Sequence, residues 1–175
     1  NALVIDIGAG TMDICALKGQ IPLAEDQITI KKAGNHIDAL LAEAIVDRYP
    51  DVRVTPNQVR TIKEPYSFVG KPPHGPIKVE LRANGLPVLC DVTDEIRQAC
   101  EAIVPEIVEG VELLFKRFSP DDLPKVLQNI ILAGGGLYLV TALSQSRSRP
   151  VPMNSPVSGK NKVLPPQRRR SRSRA

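Results

Sequence analysis

The stretch Asp6-Ile7-Gly8-Ala9-Gly10-Thr11-Met12-Asp13 constrains this chain more than any other part of it. It follows the apolar run Ala2-Leu3-Val4-Ile5 and leads into Ile14-Cys15-Ala16-Leu17. That pattern reads as strand, tight glycine turn and strand, with an acid closing the first strand. An ordinary hairpin would use Gly8 and Gly10 only for their tolerance of positive φ. The neighbours argue for more. Successive amides of such a turn can form an anion-binding nest, Thr11 can donate to a phosphate, and Asp6 and Asp13 place carboxylates beside it.

The rest of the first 140 residues alternates in type. Residues 27–32 alternate with period two and are expected to form a third strand. A helix follows, with Asn35 as its cap, Asp38 in its first turn, and the stripe Ile37, Leu40, Leu41, Ala44 and Ile45 facing a sheet. Thr55-Pro56 is a good start for a short helix through Lys63-Glu64, which Pro65 should stop. Residues 77–82 and 86–91 flank Asn84-Gly85, a hairpin signal. Thr93 is expected to cap the longest helix, along the stripe Ile96, Cys100, Ile103, Ile107, Val111, Leu114 and Phe118. Pro105 should kink or split it. Residues 123–128 suggest a short helix, and Asn129-Ile130-Ile131-Leu132-Ala133 a short strand that runs into Gly134-Gly135-Gly136.

The net charge of +4 is unevenly placed. Residues 141–175 carry nine basic residues and no acid, which leaves 14 basic and 19 acidic residues in 1–140. The body therefore shows no basic footprint for nucleic acid. The segment 144–175 is mostly Ser, Pro and Arg, cannot bury enough apolar surface to offset its ordering entropy, and is expected to be disordered. Its abrupt change of composition suits an out-of-frame reading of GC-rich DNA. A genuine basic tail meeting acidic partners is the alternative. Three scattered cysteines and two lone histidines make no metal-ligand spacing, and buried thiols in a reducing cytoplasm are expected. No apolar run is long enough for a membrane-spanning helix. The chain begins inside a strand and without Met, so a fragment, a processed product or a mis-called start is expected.

Two further signals fall in order behind the first. Lys63-Glu64 closes a short helix. Alone it is a solvated charge pair. Gly134-Gly135-Gly136 ends an apolar strand, where bare backbone can meet a planar base or ribose. Together with Ala33-Gly34-Asn35, these motifs resemble the second half of the actin/Hsp70/sugar-kinase nucleotide-binding fold. Asp6-x-Gly-x-Gly-Thr resembles its second phosphate loop and Gly134-Gly135-Gly136 its adenosine motif. Within that superfamily the chain most resembles bacterial actin-like filament proteins, and among them the magnetosome actins. Residues 2–136 carry the likeness.

The resemblance implies an α/β fold, one lobe of an actin-like (ribonuclease-H-like) ATPase. The lobe would comprise 1–54 and 93–140, with a smaller subdomain at 55–92 and a disordered tail at 141–175. It implies ATP and Mg2+ as ligands. Asp6 would be the catalytic acid, ordering the magnesium through water. Gly8, Gly10 and Thr11 would contact the phosphates, and Gly34 and Asn35 would form a ribose-side wall. Lys63 and Glu64 would lie beside the adenine, over a floor of Gly134, Gly135 and Gly136. Such ATPases work mostly by positioning water and neutralising charge. The family's first phosphate loop and its connecting catalytic acid resemble no segment here, so weak binding and little hydrolysis are expected. The implied role is a cytoplasmic filament that self-associates, meets magnetosome-associated proteins and aligns magnetosomes. The alternatives are a sugar- or acetate-kinase-type enzyme of the same superfamily and a nucleic-acid-binding fragment acting through its tail.

Overall fold

The computed structural model describes residues 1–19, 21–72 and 75–135. Gly136 and the 141–175 tail lie outside them. In chain order the elements are β1 (Ala2–Ile7), β2 (Met12–Leu17), a 3-10 turn (Ala24–Asp26), β3 (Gln27–Ile30), α1 (Gly34–Arg48), β4 (Val52–Arg53) and α2 (Pro56–Tyr66). They continue as β5 (Lys78–Ala83), β6 (Leu86–Asp91), α3 (Thr93–Glu101), α4 (Val104–Phe115), α5 (Leu123–Leu127) and β7 (Ile130–Ala133).

The larger sheet has the order β3-β2-β1-β7. β1 and β2 pair antiparallel with Ile5 opposite Ile14 and Asp6 opposite Asp13, while β7 lies parallel to β1. Alternation then sorts the side chains. Leu3, Ile5, Ile7, Met12, Ile14 and Ala16 share one face, and all are buried. α4 packs on that face through Gly110, where a Cβ would come within 2.7 Å of Ile14 Cδ1. Glycine there lets the helix approach the sheet closely.

The smaller sheet has the order β4-β5-β6. Its first strand lies just ahead of residue 55, where the smaller subdomain is expected to begin. The β5–β6 hairpin turns on Asn84 (φ 51°) and Gly85 (φ 84°). Two successive left-handed residues are what a two-residue hairpin turn requires, and the Asn-Gly signal is met. β6 is an edge strand with Leu86 and Leu89 largely exposed, and Pro87 stands opposite Arg82.

α1 ties the two sheets together. Its buried residues are Ile37, Leu41 and Ile45. At its far end Arg48 donates to both oxygens of the buried Glu95 on α3, at 2.8 and 3.1 Å. The Tyr49 hydroxyl donates to the Asp91 carbonyl at 2.9 Å.

Five local expectations are corrected. Asn35 does not cap α1: Ala33 holds the cap position without a side-chain bond. The helix starts two residues early because the turn after β1 supplies acceptors for its first amides. Asp38 consequently lies beyond the first turn. Pro65 does not stop α2, which runs to Tyr66. In the last turn a proline forfeits a single helical bond, and the Ser67 amide and hydroxyl both close on the Lys63 carbonyl, at 2.9 and 2.7 Å. Thr93 does not cap α3. Its amide and hydroxyl both donate to Asp91 Oδ1, at 3.1 and 2.6 Å, and its hydroxyl accepts from the Ile77 amide at 2.7 Å. The long stripe splits at Ala102-Ile103, with Pro105 in the first turn of α4. That makes α1 the longest helix described. The Thr55-Pro56 start of α2 holds, with Gln58 completing a reciprocal capping box.

Three carboxyls are held below the usual range. Asp26 is bonded to Lys18 at 2.6 Å, Asp91 accepts from Thr93, and Glu106 accepts from Lys32. A depressed folded pKa adds stability above the unfolded carboxylate value, near pH 4, and loses it as pH falls through the folded value. Thermal melts are therefore expected to drop steeply below about pH 4. Asp26→Asn should melt lower than wild type at pH 7, and the two curves should converge at the acid end.

Candidate functional site

The C-terminal ends of the adjacent parallel strands β1 and β7 meet the β1–β2 turn and the N-terminus of α1. The turn Gly8-Ala9-Gly10-Thr11 is closed by the Gly8 amide donating to the Thr11 carbonyl at 2.9 Å. The amides of Ala9 and Gly10 donate to no protein acceptor among the described residues. A Cβ on Gly10 would meet nothing within 4 Å, so that face of the turn is open. These features suit an approaching anion.

The carbonyl side of the same turn is occupied. Gly8 O accepts from the Gly34 amide at 3.1 Å, and Ala9 O accepts from the Asn35 amide at 2.7 Å. The first two amides of α1, which a helix leaves without internal partners, are thus satisfied by the turn. A Cβ on Gly34 would lie 3.2 Å from Gly8 O and 3.3 Å from Ala9 Cα. Glycine is needed there for close approach.

α2 supplies the opposite wall. Lys63 lies 2.7 Å from Asp38 Oδ1 and donates to the Gly34 carbonyl at 3.1 Å. Both side chains of this pair are 14% exposed. Arg60 stands 3.9 Å from the other Asp38 oxygen and is more exposed. Between turn, α1 and α2 lies a cleft of about 230 Å³. Gly8, Gly34, Asn35, Lys63, Glu64 and Gly135 line it, so six of the candidate residues share one space. A larger, more open hollow of about 440 Å³, beside Arg53, Arg82 and Asn84 on the smaller sheet, contains none of them.

The other candidates flank the cleft. Asp6 is exposed at the end of β1, and among the described residues no cation pairs with it. Thr11 donates to Asp13 at 3.4 Å, and Asp13 also accepts from Thr29. Gly134 packs against Asp6: a Cβ there would sit 2.4 Å from Asp6 Oδ1 and from Ile7 O. Gly135 faces open space, and Gly136 falls outside the described residues. Besides Ala9, three polar cleft residues escaped the sequence reading as site groups: Asp38, Arg60 and Ser67. Helical spacing held their signal. Arg60, Lys63 and Glu64 of α2 and Ser67 at its C-cap recur at three and four residues, and Asp38 lies one turn after Gly34.

The Gly134-Gly135 pair separates two kinds of glycine. Gly134 has φ +84° and no room for a methyl group. Gly134→Ala is expected to lower stability by about 2 kcal/mol or more in urea unfolding. Gly135→Ala should cost well under about 1 kcal/mol.

The family model for the MreB/Mbl protein matches residues 1–161. The actin-like protein MamK of Magnetospirillum gryphiswaldense is 48% identical over 136 residues, covering 78% of this chain and 38% of the relative. The chain thus spans about two fifths of the length of the curated relatives it matches. Among solved structures, a non-polymerising MamK mutant bound to AMPPNP superposes with a TM-score of 0.78 at 46% identity, over 83% of this chain and 44% of that one. A MamK double helical filament gives 0.78 at 44% identity, over 83% and 45%. The mixed sheet, the turn after β1 and the glycines after β7 are therefore one lobe of an actin-like fold, and the chain belongs to the MreB/Mbl family.

Proposed function

We propose that this chain is the ATP-binding second-loop lobe of an actin-like cytoskeletal filament protein that organises magnetosomes in a chain. The observation that carries the reading is the convergence of six candidate residues on one cleft. The relative bound to AMPPNP and the relative solved as a filament support it.

In this reading the Ala9 and Gly10 amides and Thr11 receive the phosphates. Gly34 and Asn35 wall the ribose, and Glu64 and Lys63 border the base over Gly134 and Gly135. The geometry adjusts two assignments. The Gly8 amide is engaged by the Thr11 carbonyl, so Ala9 takes its place at the phosphates. The Lys63 ammonium is engaged by Asp38 and Gly34, so its aliphatic stem is the part offered to a ligand. Mg2+, when bound, would neutralise phosphate charge, and Asp6, exposed and without a cation partner among the described residues, would hold its water shell. The lobe is divided as 1–54 and 93–140 around a smaller part at 55–92. Its setting is cytoplasmic, and magnetosome-associated proteins are its partners. A kinase of the same superfamily is not favoured, since the relatives are filament proteins.

Residues 1–175 supply one phosphate loop, so the chain alone is expected to bind ATP weakly and hydrolyse it little. Fluorescent-nucleotide titration should show saturable binding that survives deletion of 141–175. It should weaken in Asp6→Asn mainly when Mg2+ is present. Binding that vanishes with the tail would instead support nucleic-acid-type electrostatics. For assembly, residues 1–135 can replace the matching stretch of the M. gryphiswaldense relative. ATP-dependent pelleting of the chimera is the expected result, and a soluble chimera that still binds ATP would sink the filament reading.

A further inference from the structure

Asp38 belongs to none of the groups that touch a nucleotide in the reading above, yet it is the most enclosed carboxylate of the cleft wall. We infer that Asp38 is a positioning residue for the phosphate-loop side of this cleft. It holds Lys63 against the Gly34 carbonyl and so fixes the α1 N-terminus on which the Gly8-Ala9 turn rests. The inference deepens the nucleotide reading and rests on it.

A continuous set of short contacts carries the argument. The carbonyls of Gly8 and Ala9 accept from the amides of Gly34 and Asn35. The Gly34 carbonyl accepts from Lys63, and Lys63 is paired with Asp38, one turn further along α1. Lys63 comes from α2, so the contact ties the two helices together at this end, beside the longer Arg60–Asp38 approach. Both charges are 14% exposed, which limits screening by solvent. A lysine on a four-carbon stem has many rotamers, and a single carbonyl would not select one of them. The carboxylate selects it. Arg60, at 3.9 Å and more exposed, does not reach the Gly34 carbonyl and cannot replace Lys63 in this contact. Displacing the α1 N-terminus would pull the turn by its carbonyls and move the open amides on the other side.

An opposite account is physically possible: Asp38 could only screen Lys63 and repel phosphate. The two accounts predict opposite signs. The full chain is titrated with a fluorescent ATP analogue, and adenosine is measured by competition, for wild type, Asp38→Asn and Asp38→Glu. Positioning predicts about tenfold weaker ATP binding by Asp38→Asn. It also predicts a smaller loss for adenosine and near-wild-type binding by Asp38→Glu. The pair Asp38→Asn with Lys63→Met should bind no more weakly than the worse single variant. Without nucleotide, hydrogen exchange at the Gly34 and Asn35 amides should speed up in Asp38→Asn. Unchanged or tighter ATP binding by Asp38→Asn overturns the inference. So does unchanged exchange at those amides, whatever the nucleotide result. A wild-type chain that binds no ATP overturns the nucleotide reading itself, and this role with it.

Discussion

The two bonds from the first amides of α1 to the carbonyls of Gly8 and Ala9 are the contact on which the remaining architecture depends. They join the tip of the larger sheet to the longest helix. That helix then carries contacts at both of its ends: Lys63 of α2 near its start, and Glu95 of α3 at its finish. Each bond is worth little by itself in water, and together they give acceptors to two amides that the helix leaves without internal partners. The turn and the helix therefore form as one unit. The sheet tip is held from outside, so its inner face can stay open.

The core reaches this precision with few aromatic groups. Among the three phenylalanines, Phe68 and Phe118 are buried, and the bulk is Ile, Leu, Val and Ala. Branched aliphatic side chains of defined rotamer fill the space between a twisted sheet and its helices, and glycine takes over where the layers come closest. Cys90 and Cys100 take part as small apolar groups, and burial pushes the Cys100 thiol upward.

What was legible in the sequence followed from period and from turn chemistry. The β1–β2 hairpin, the Asn84-Gly85 turn, the stripe of α1 and the split at Pro105 each follow from local patterns that nothing distant opposes. The family resemblance was legible for a different reason: motif order along the chain is independent of folding details. What was misread lay at helix ends, where acceptors arrive from elsewhere. Asn35 looks like a cap until Gly8 and Ala9 supply the carbonyls, and Thr93 looks like one until Asp91 takes its amide. Pro65 looks like a stop until Ser67 closes the helix. The role of Asp38 was hidden likewise, because its partner is twenty-five residues away on another helix.

The edge of the smaller sheet carries a consequence for how such a lobe meets its neighbours. β6 exposes Leu86 and Leu89, and an open, apolar edge strand invites another chain to add itself by main-chain pairing. Pro87 interrupts that invitation. Facing Arg82 across the ladder, it has no N–H to present outward, so an incoming strand would find a donor missing near the start of the edge. Open-ended strand addition is thereby discouraged, while the apolar side chains remain available to a preformed complementary surface. For a lineage whose relatives build ordered polymers, that is the difference between stacking folded subunits and nucleating amyloid.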